Sequence, residues 1–192
     1  SGNAVITVTV EDAGPDGDTG TSSDNLSITR TFDVTVIPVN DAPVLDTIEQ
    51  LGGDINGETS SNNSGQAVAL SADGMTVAIG APYNDDNASN SGHVRIYRFD
   101  SAGGAWNQLG ADIDGEAIDD RSGSSVSLSS DGMTVAIGAR YNNGNDSGTA
   151  GHARIFRYDP GTNSWNQLGG DIEGETDGSR FGHAVSLSAD GM

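Results

Sequence analysis

The side chains best placed to do chemistry in this chain are oxygen donors. Its 28 acidic residues outnumber 8 basic ones, for a net charge of −20. Hard oxygen ligands of this kind suit calcium. Asp85, Asp86 and Asn87 stand side by side, and Asn145 with Asp146 falls at a related place further on. These loops are candidate calcium ligands; the competing reading is a solvated turn. The three histidines are His93, His152 and His183. His93 sits in Gly-His-Val-Arg-Ile and His152 in Gly-His-Ala-Arg-Ile, so the two share one position of a repeat. Repeat-related positions lie too far apart to share a metal or a substrate, and a recurring strand-edge role is expected. Glu58, Glu116 and Glu175 recur in the same way. They do not make the pair of carboxylates, roughly 5–10 Å apart, that glycoside hydrolysis needs. A turn fixed once per repeat is the simpler reading.

Other catalytic patterns are missing from the sequence. No Gly-x-Ser-x-Gly elbow stands at a strand–helix junction, and no phosphate-binding glycine pattern sits in an α/β setting. There is no cysteine, which removes disulfides, zinc-thiolate sites and thiol nucleophiles. Trp106 and Trp165 could stack on a sugar, but their recurrence points to packing between units. The chain is therefore expected not to be an enzyme; a glycan-cleaving activity is the weakest alternative.

What positions these groups is an internal repeat. Gln50-Leu-Gly-Gly-Asp-Ile-Asn-Gly-Glu58 returns at Gln108–Glu116 and Gln167–Glu175, in steps of 58 and 59 residues. Ser71-Ala-Asp-Gly-Met-Thr-Val-Ala-Ile-Gly-Ala81 returns at Ser129–Ala139 and begins again at Ser188. Each unit reads as four strands. In the first they are 66–70, 76–81, 93–99 and 105–109. Asp73-Gly74 supplies a hairpin turn, a polar loop spans 83–91, and Gly103-Gly104 supplies another turn. Val94 and Ile96 alternate with Arg95, Tyr97 and Phe99, so aliphatic residues line one strand face and aromatic residues the other. A four-stranded unit of about 58 residues has two apolar faces and must stack on its neighbours, as propeller blades do.

Residues 1–45 lie outside the repeat. Ala4–Val10 alternates as a strand, Leu26–Ile37 reads as a second, and the polar stretch 11–20 joins them. Two strands do not make a stable domain, so this reads as the last hairpin of a truncated sandwich. Ser1 and Met192 read as cut ends of a longer protein. The fold class expected is all-β: a partial β-propeller of four-stranded blades preceded by a terminal hairpin of a β-sandwich.

The repeats resemble the FG-GAP repeats of integrin-like propellers. Phe181-Gly182 matches the first element and Gly80-Ala81-Pro82 the second. Ser64-Gly65, Ser122-Gly123 and Gly138-Ala139-Arg140 are degenerate copies. The resemblance implies a seven-bladed ring, of which this chain holds a part. Some members carry an Asp-x-Asp-x-Asp-Gly calcium loop between the two elements. Ala72-Asp73-Gly74 and Ser130-Asp131-Gly132 keep one carboxylate there, too few for six- to eight-fold coordination. Residues 1–45 resemble the end of a bacterial cadherin-like or immunoglobulin-like domain. Val39-Asn40-Asp41-Ala42-Pro43 is similar to the cadherin linker motif, which holds calcium between domains. That resemblance implies Asn40 and Asp41 as ligands, with Asp12, Asp16 and Asp18 supplying further oxygens. The alternative is a linker stiffened by Pro38 and Pro43.

The organisation expected is residues 1–38 as sandwich strands, 39–47 as linker and 48–192 as propeller repeats. The strong negative charge disfavours nucleic acid and anionic lipid, and no apolar run reaches the ~20 residues of a membrane helix. The resemblances imply an extracellular, secreted or cell-surface adhesion module of a large bacterial protein. Its partner would be a protein or glycan on another cell or matrix, met by loops 83–91 and 141–149. A calcium-stiffened spacer is the alternative.

Overall fold

The structure, a computed structural model, describes residues 2–11, 27–36, 49–143 and 148–191. The chain divides into two compact units, Ser1–Ile48 and Glu49–Met192. In the first, Gly2–Glu11 (β1) pairs antiparallel with Ser27–Val36 (β2), Gly2 opposite Val36 and Glu11 opposite Ser27.

The second unit contains two antiparallel sheets of the same design. In one, Ala67–Leu70 (β3), Thr76–Ala81 (β4), His93–Asp100 (β5) and Ala105–Gln108 (β6) lie in chain order. Ile113–Asp114 (β7) then pairs with the start of β5, His93 opposite Asp114. The other sheet orders Ser125–Leu128 (β8), Thr134–Ala139 (β9), His152–Asp159 (β10) and Ser164–Gln167 (β11). Ile172–Glu173 (β12) again pairs with the start of the third strand. The described residues contain no helix.

Each central strand carries apolar residues on both sides. All six residues of β4 and of β9 are buried. Cross-strand partners share a face. Ala78 stands opposite Ile96 and Gly80 opposite Val94, giving the first sheet one aliphatic face. Val135 stands opposite Phe156 and Ile137 opposite Arg154 on the second sheet. Ala78, Val94, Ile96 and Ile113 of the first sheet form a single buried cluster with Val135, Ile137 and Phe156 of the second. The sheets therefore stack face to face, with β3 beside β8. This is the stacking of adjacent propeller blades. The division into aliphatic and aromatic faces needs one refinement. Val77 and Ile79 share the face of Arg95, Tyr97 and Phe99, because that face must also be filled close to the strand centre.

Two devices hold the stack. A Cβ built on Gly80 would collide with the carbonyl oxygen of Gly123, and one on Gly138 with that of Gly182. Backbones of successive repeats approach too closely there for any side chain. The indoles also reach back one unit: Trp106 Nε1 donates to Leu51 O at 2.8 Å and Trp165 Nε1 to Leu109 O at 2.8 Å. The β3–β4 turn runs Ser71–Met75 and is longer than a two-residue hairpin. Gly74 alone adopts positive φ in it (70°), while the Asp73 carboxylate accepts from Met75 N at 2.9 Å.

Candidate functional site

The start of β5 and of β10 is where the polar side chains of each blade converge. His93 opens β5 and is 1% exposed. Its Nδ1 lies 3.3 Å from Asp112 Oδ2, 3.9 Å from Glu58 Oε2 and 4.0 Å from Asp86 Oδ2. None of these approaches has hydrogen-bond geometry, and Nδ1 has no partner. The four ligand atoms lie within 4.8 Å of one another, close enough to grip a single cation.

Four different segments bring these groups together. Glu58 lies on the lead-in to the blade, Asp86 on the β4–β5 loop, His93 on β5, and Asp112 just before β7. The loop is held at its base by Gly92 N donating to Asn84 O at 3.0 Å. Asn84, wholly buried, uses its amide to bridge two carboxylates, donating to Glu58 Oε2 at 3.1 Å and Asp86 Oδ2 at 2.9 Å. Gln108 Nε2 donates to Asp112 Oδ1 at 2.5 Å, and Arg95 Nη1 lies 3.6 Å from Glu58 Oε1. For Glu58 and Asp112, then, one oxygen is engaged outside the cluster while the other faces the imidazole. The Asn84 bond holds the Asp86 pKa below the ordinary carboxylate value against the opposing effect of burial, and the neighbouring Glu58 adds to the lowering.

The second blade repeats the arrangement. His152, also 1% exposed, has Nδ1 3.8 Å from both Glu116 Oε2 and Asp171 Oδ2. Gln167 Nε2 donates to Asp171 Oδ1 at 2.7 Å, and Arg154 Nη1 lies 3.4 Å from Glu116 Oε1. Neither ring nitrogen of His152 has a hydrogen-bond partner. Burial first, then Arg154, lowers the His152 pKa below its ordinary value, which favours the neutral imidazole. Burial raises the Glu116 pKa, with Asp171 and Asp120 adding to the rise. The wholly buried Asp120 accepts from Glu116 N at 3.1 Å and Ala117 N at 2.7 Å, shaping the lead-in.

Of the sequence candidates, Asp86 belongs to the first cluster. Asp85 does not; its Oδ1 accepts from Asn90 N at 2.7 Å and closes the loop. Asp12, Asp16, Asp18, Asn40, Asp41 and Asp146 lie outside the described residues. His93 and His152 fall in separate blades and do not share a site. What sequence reasoning missed is that each histidine collects the carboxylates of its own repeat. The signal was present: Glu58, His93 and Asp112 return together as Glu116, His152 and Asp171.

The neighbouring surface is lined by arginines stacked on tyrosines. Arg121 lies 4.9 Å from the Tyr83 ring and 4.3 Å from that of Tyr141, and Arg180 lies 5.5 Å from Tyr141. Arg121 thus bridges Tyr83 of the preceding repeat and Tyr141 of its own, and Arg180 reaches back to Tyr141.

A stacked, four-stranded repeat with close glycine contacts between units defines a partial β-propeller. The FG-GAP repeat family matches residues 57–97, the span from the lead-in through β5. FG-GAP repeats are typically extracellular adhesion or binding modules. No curated protein matches the chain. No helix among the described residues is long and apolar enough to cross a membrane.

Proposed function

We propose that this chain is a non-enzymatic binding module of a secreted or surface-attached bacterial protein, and that its loops recognise a protein ligand on another cell or in the matrix. One observation carries this reading: two stacked blades hold loops of different sequence on identical frames. Gly92 N bonds Asn84 O at 3.0 Å and Gly151 N bonds Asn142 O at 2.9 Å, yet the residues between differ. A fixed base with a variable top is how rigid folds present recognition surfaces. The FG-GAP match over residues 57–97 supports the same class. In this reading residues 1–38 end a cadherin-like sandwich, 39–47 form a linker with calcium at Asn40 and Asp41, and 48–192 are propeller repeats.

The test is binding of the full chain to arrays of matrix proteins and of glycans, repeated with residues 85–90 replaced by Gly and Ser. Saturable protein binding that the replacement abolishes, with the β circular dichroism unchanged, supports the reading. Binding confined to glycans replaces the protein partner with a sugar. Saturable hydrolysis of any arrayed glycan would overturn the non-enzymatic assignment.

A further inference from the structure

We propose that Glu58, Asp86, His93 and Asp112 form a site for a first-row divalent cation of the zinc type, and that Glu116, His152 and Asp171 form a second, weaker one. Neither depends on what the loops recognise.

A cluster of carboxylates on so acidic a chain would mean little alone. The distinguishing feature is the buried imidazole. His93 is 1% exposed, and its Nδ1, unpartnered, faces three carboxylate oxygens at 3.3, 3.9 and 4.0 Å. A buried polar atom without a hydrogen bond is destabilising, and here it recurs in both blades. A cation placed between the donors would satisfy it. Tetrahedral zinc with ligands at about 2.0–2.2 Å separates its donor atoms by roughly 3.4 Å. The separations from His93 Nδ1, 3.3 to 4.0 Å, lie near that value, and the whole set, within 4.8 Å, would draw in around the ion.

The supporting contacts match those of a metal centre. Ligating carboxylates are usually held by an outer hydrogen bond that leaves the inner oxygen free. Gln108 serves Asp112 in this way and Gln167 serves Asp171. Arg95 and Arg154 stand beside the outer oxygens of Glu58 and Glu116. Asn84 works differently: it donates to Glu58 Oε2 and Asp86 Oδ2, the oxygens that face His93, and so fixes their spacing. The donor set also selects the ion. Calcium takes six to eight oxygen ligands, whereas an imidazole nitrogen with carboxylate oxygens suits zinc and its first-row neighbours. Three carboxylates with one imidazole make the first site the stronger; the second has two carboxylates among the described residues.

The experiment is calorimetric titration of the chelator-stripped full chain with Zn²⁺, Mn²⁺ and Ca²⁺ separately, with Co²⁺ absorption reporting coordination geometry. Zinc is expected to bind at two sites and raise the thermal midpoint, and Co²⁺ to show the intense visible bands of a tetrahedral centre. Asp86→Asn, at an exposed position, and Gln108→Ala should each weaken the tighter site about 10–100-fold and spare the other. His93→Gln should abolish the tighter site; folding of each variant is checked by circular dichroism. Three results would each overturn the proposal: no heat with millimolar zinc, zinc binding unchanged in both Asp86→Asn and Gln108→Ala, or calcium binding more tightly than zinc at the site these variants weaken.

Discussion

Gly80 and Gly138 show what one missing methyl group allows. Each lets the backbone of the next repeat lie against β4 or β9, at Gly123 and Gly182 respectively. Gly138→Ala should cost about 1–3 kcal/mol, the usual penalty for overpacking. A Cβ on Gly53 would meet nothing within 4 Å, so Gly53→Ala should stay within about 0.5 kcal/mol of the parent. Urea unfolding of the two variants checks the contrast. Asp131 makes a different kind of local contribution. Hydrogen bonds from Ser129 Oγ at 2.6 Å and Met133 N at 2.9 Å hold its carboxyl below the ordinary 3.8. A pKa depressed by folding gives stability that is present above the unfolded value and lost as pH falls through the folded one. Asp131→Asn removes the charge but keeps an acceptor. Its deficit in thermal midpoint should be constant from pH 7 to about 5 and shrink only below about 3.8. A deficit that already shrinks between pH 7 and 5 would contradict this assignment.

At the scale of elements, the strands read directly from sequence were those with alternation and a turn signal. Thr76–Ala81 has the bounds expected, and His93–Asp100 extends one residue further. β7 and β12 were not foreseen, because two-residue strands show no period. They matter for the clusters, since Asp112 and Asp171 each lie immediately before one of them. Trp165 links an element to its neighbour: its ring lies 5.3 Å from that of Tyr158, and its Nε1 bonds Leu109 O. Trp165→Phe keeps the ring contact and should cost about 1 kcal/mol, the net worth of one hydrogen bond. Trp165→Ala should cost about 2 kcal/mol or more, since packing is lost as well. Equal losses for the two in chemical denaturation would show that the inter-blade bond, and not the ring, carries the link.

For the whole molecule the dominant physical fact is charge. A net −20 on 192 residues repels itself most strongly in the compact state. The arginines near the loops stack on tyrosines, and Arg95 and Arg154 sit beside Glu58 and Glu116. Raising sodium chloride from about 10 mM to about 0.5 M shortens the screening length from about 30 Å to under 5 Å. The thermal midpoint of the full chain should rise with it by several degrees, and a flat response in scanning calorimetry would contradict the repulsion argument.

Sequence alone determined the four main strands of each repeat, the period and the need for units to stack, because alternation, turn residues and recurrence are properties of the chain taken in order. It also marked Asp86 as a ligand candidate and Gly74 as a turn residue. Only the tertiary structure decided which residues meet. Glu58 and Asp112 are 54 positions apart, and nothing local indicates that the lead-in, the loop and the segment before β7 converge on His93. Folding three segments onto one strand end buries that imidazole among carboxylates, and burial is what turns a recurring histidine into a donor without a partner.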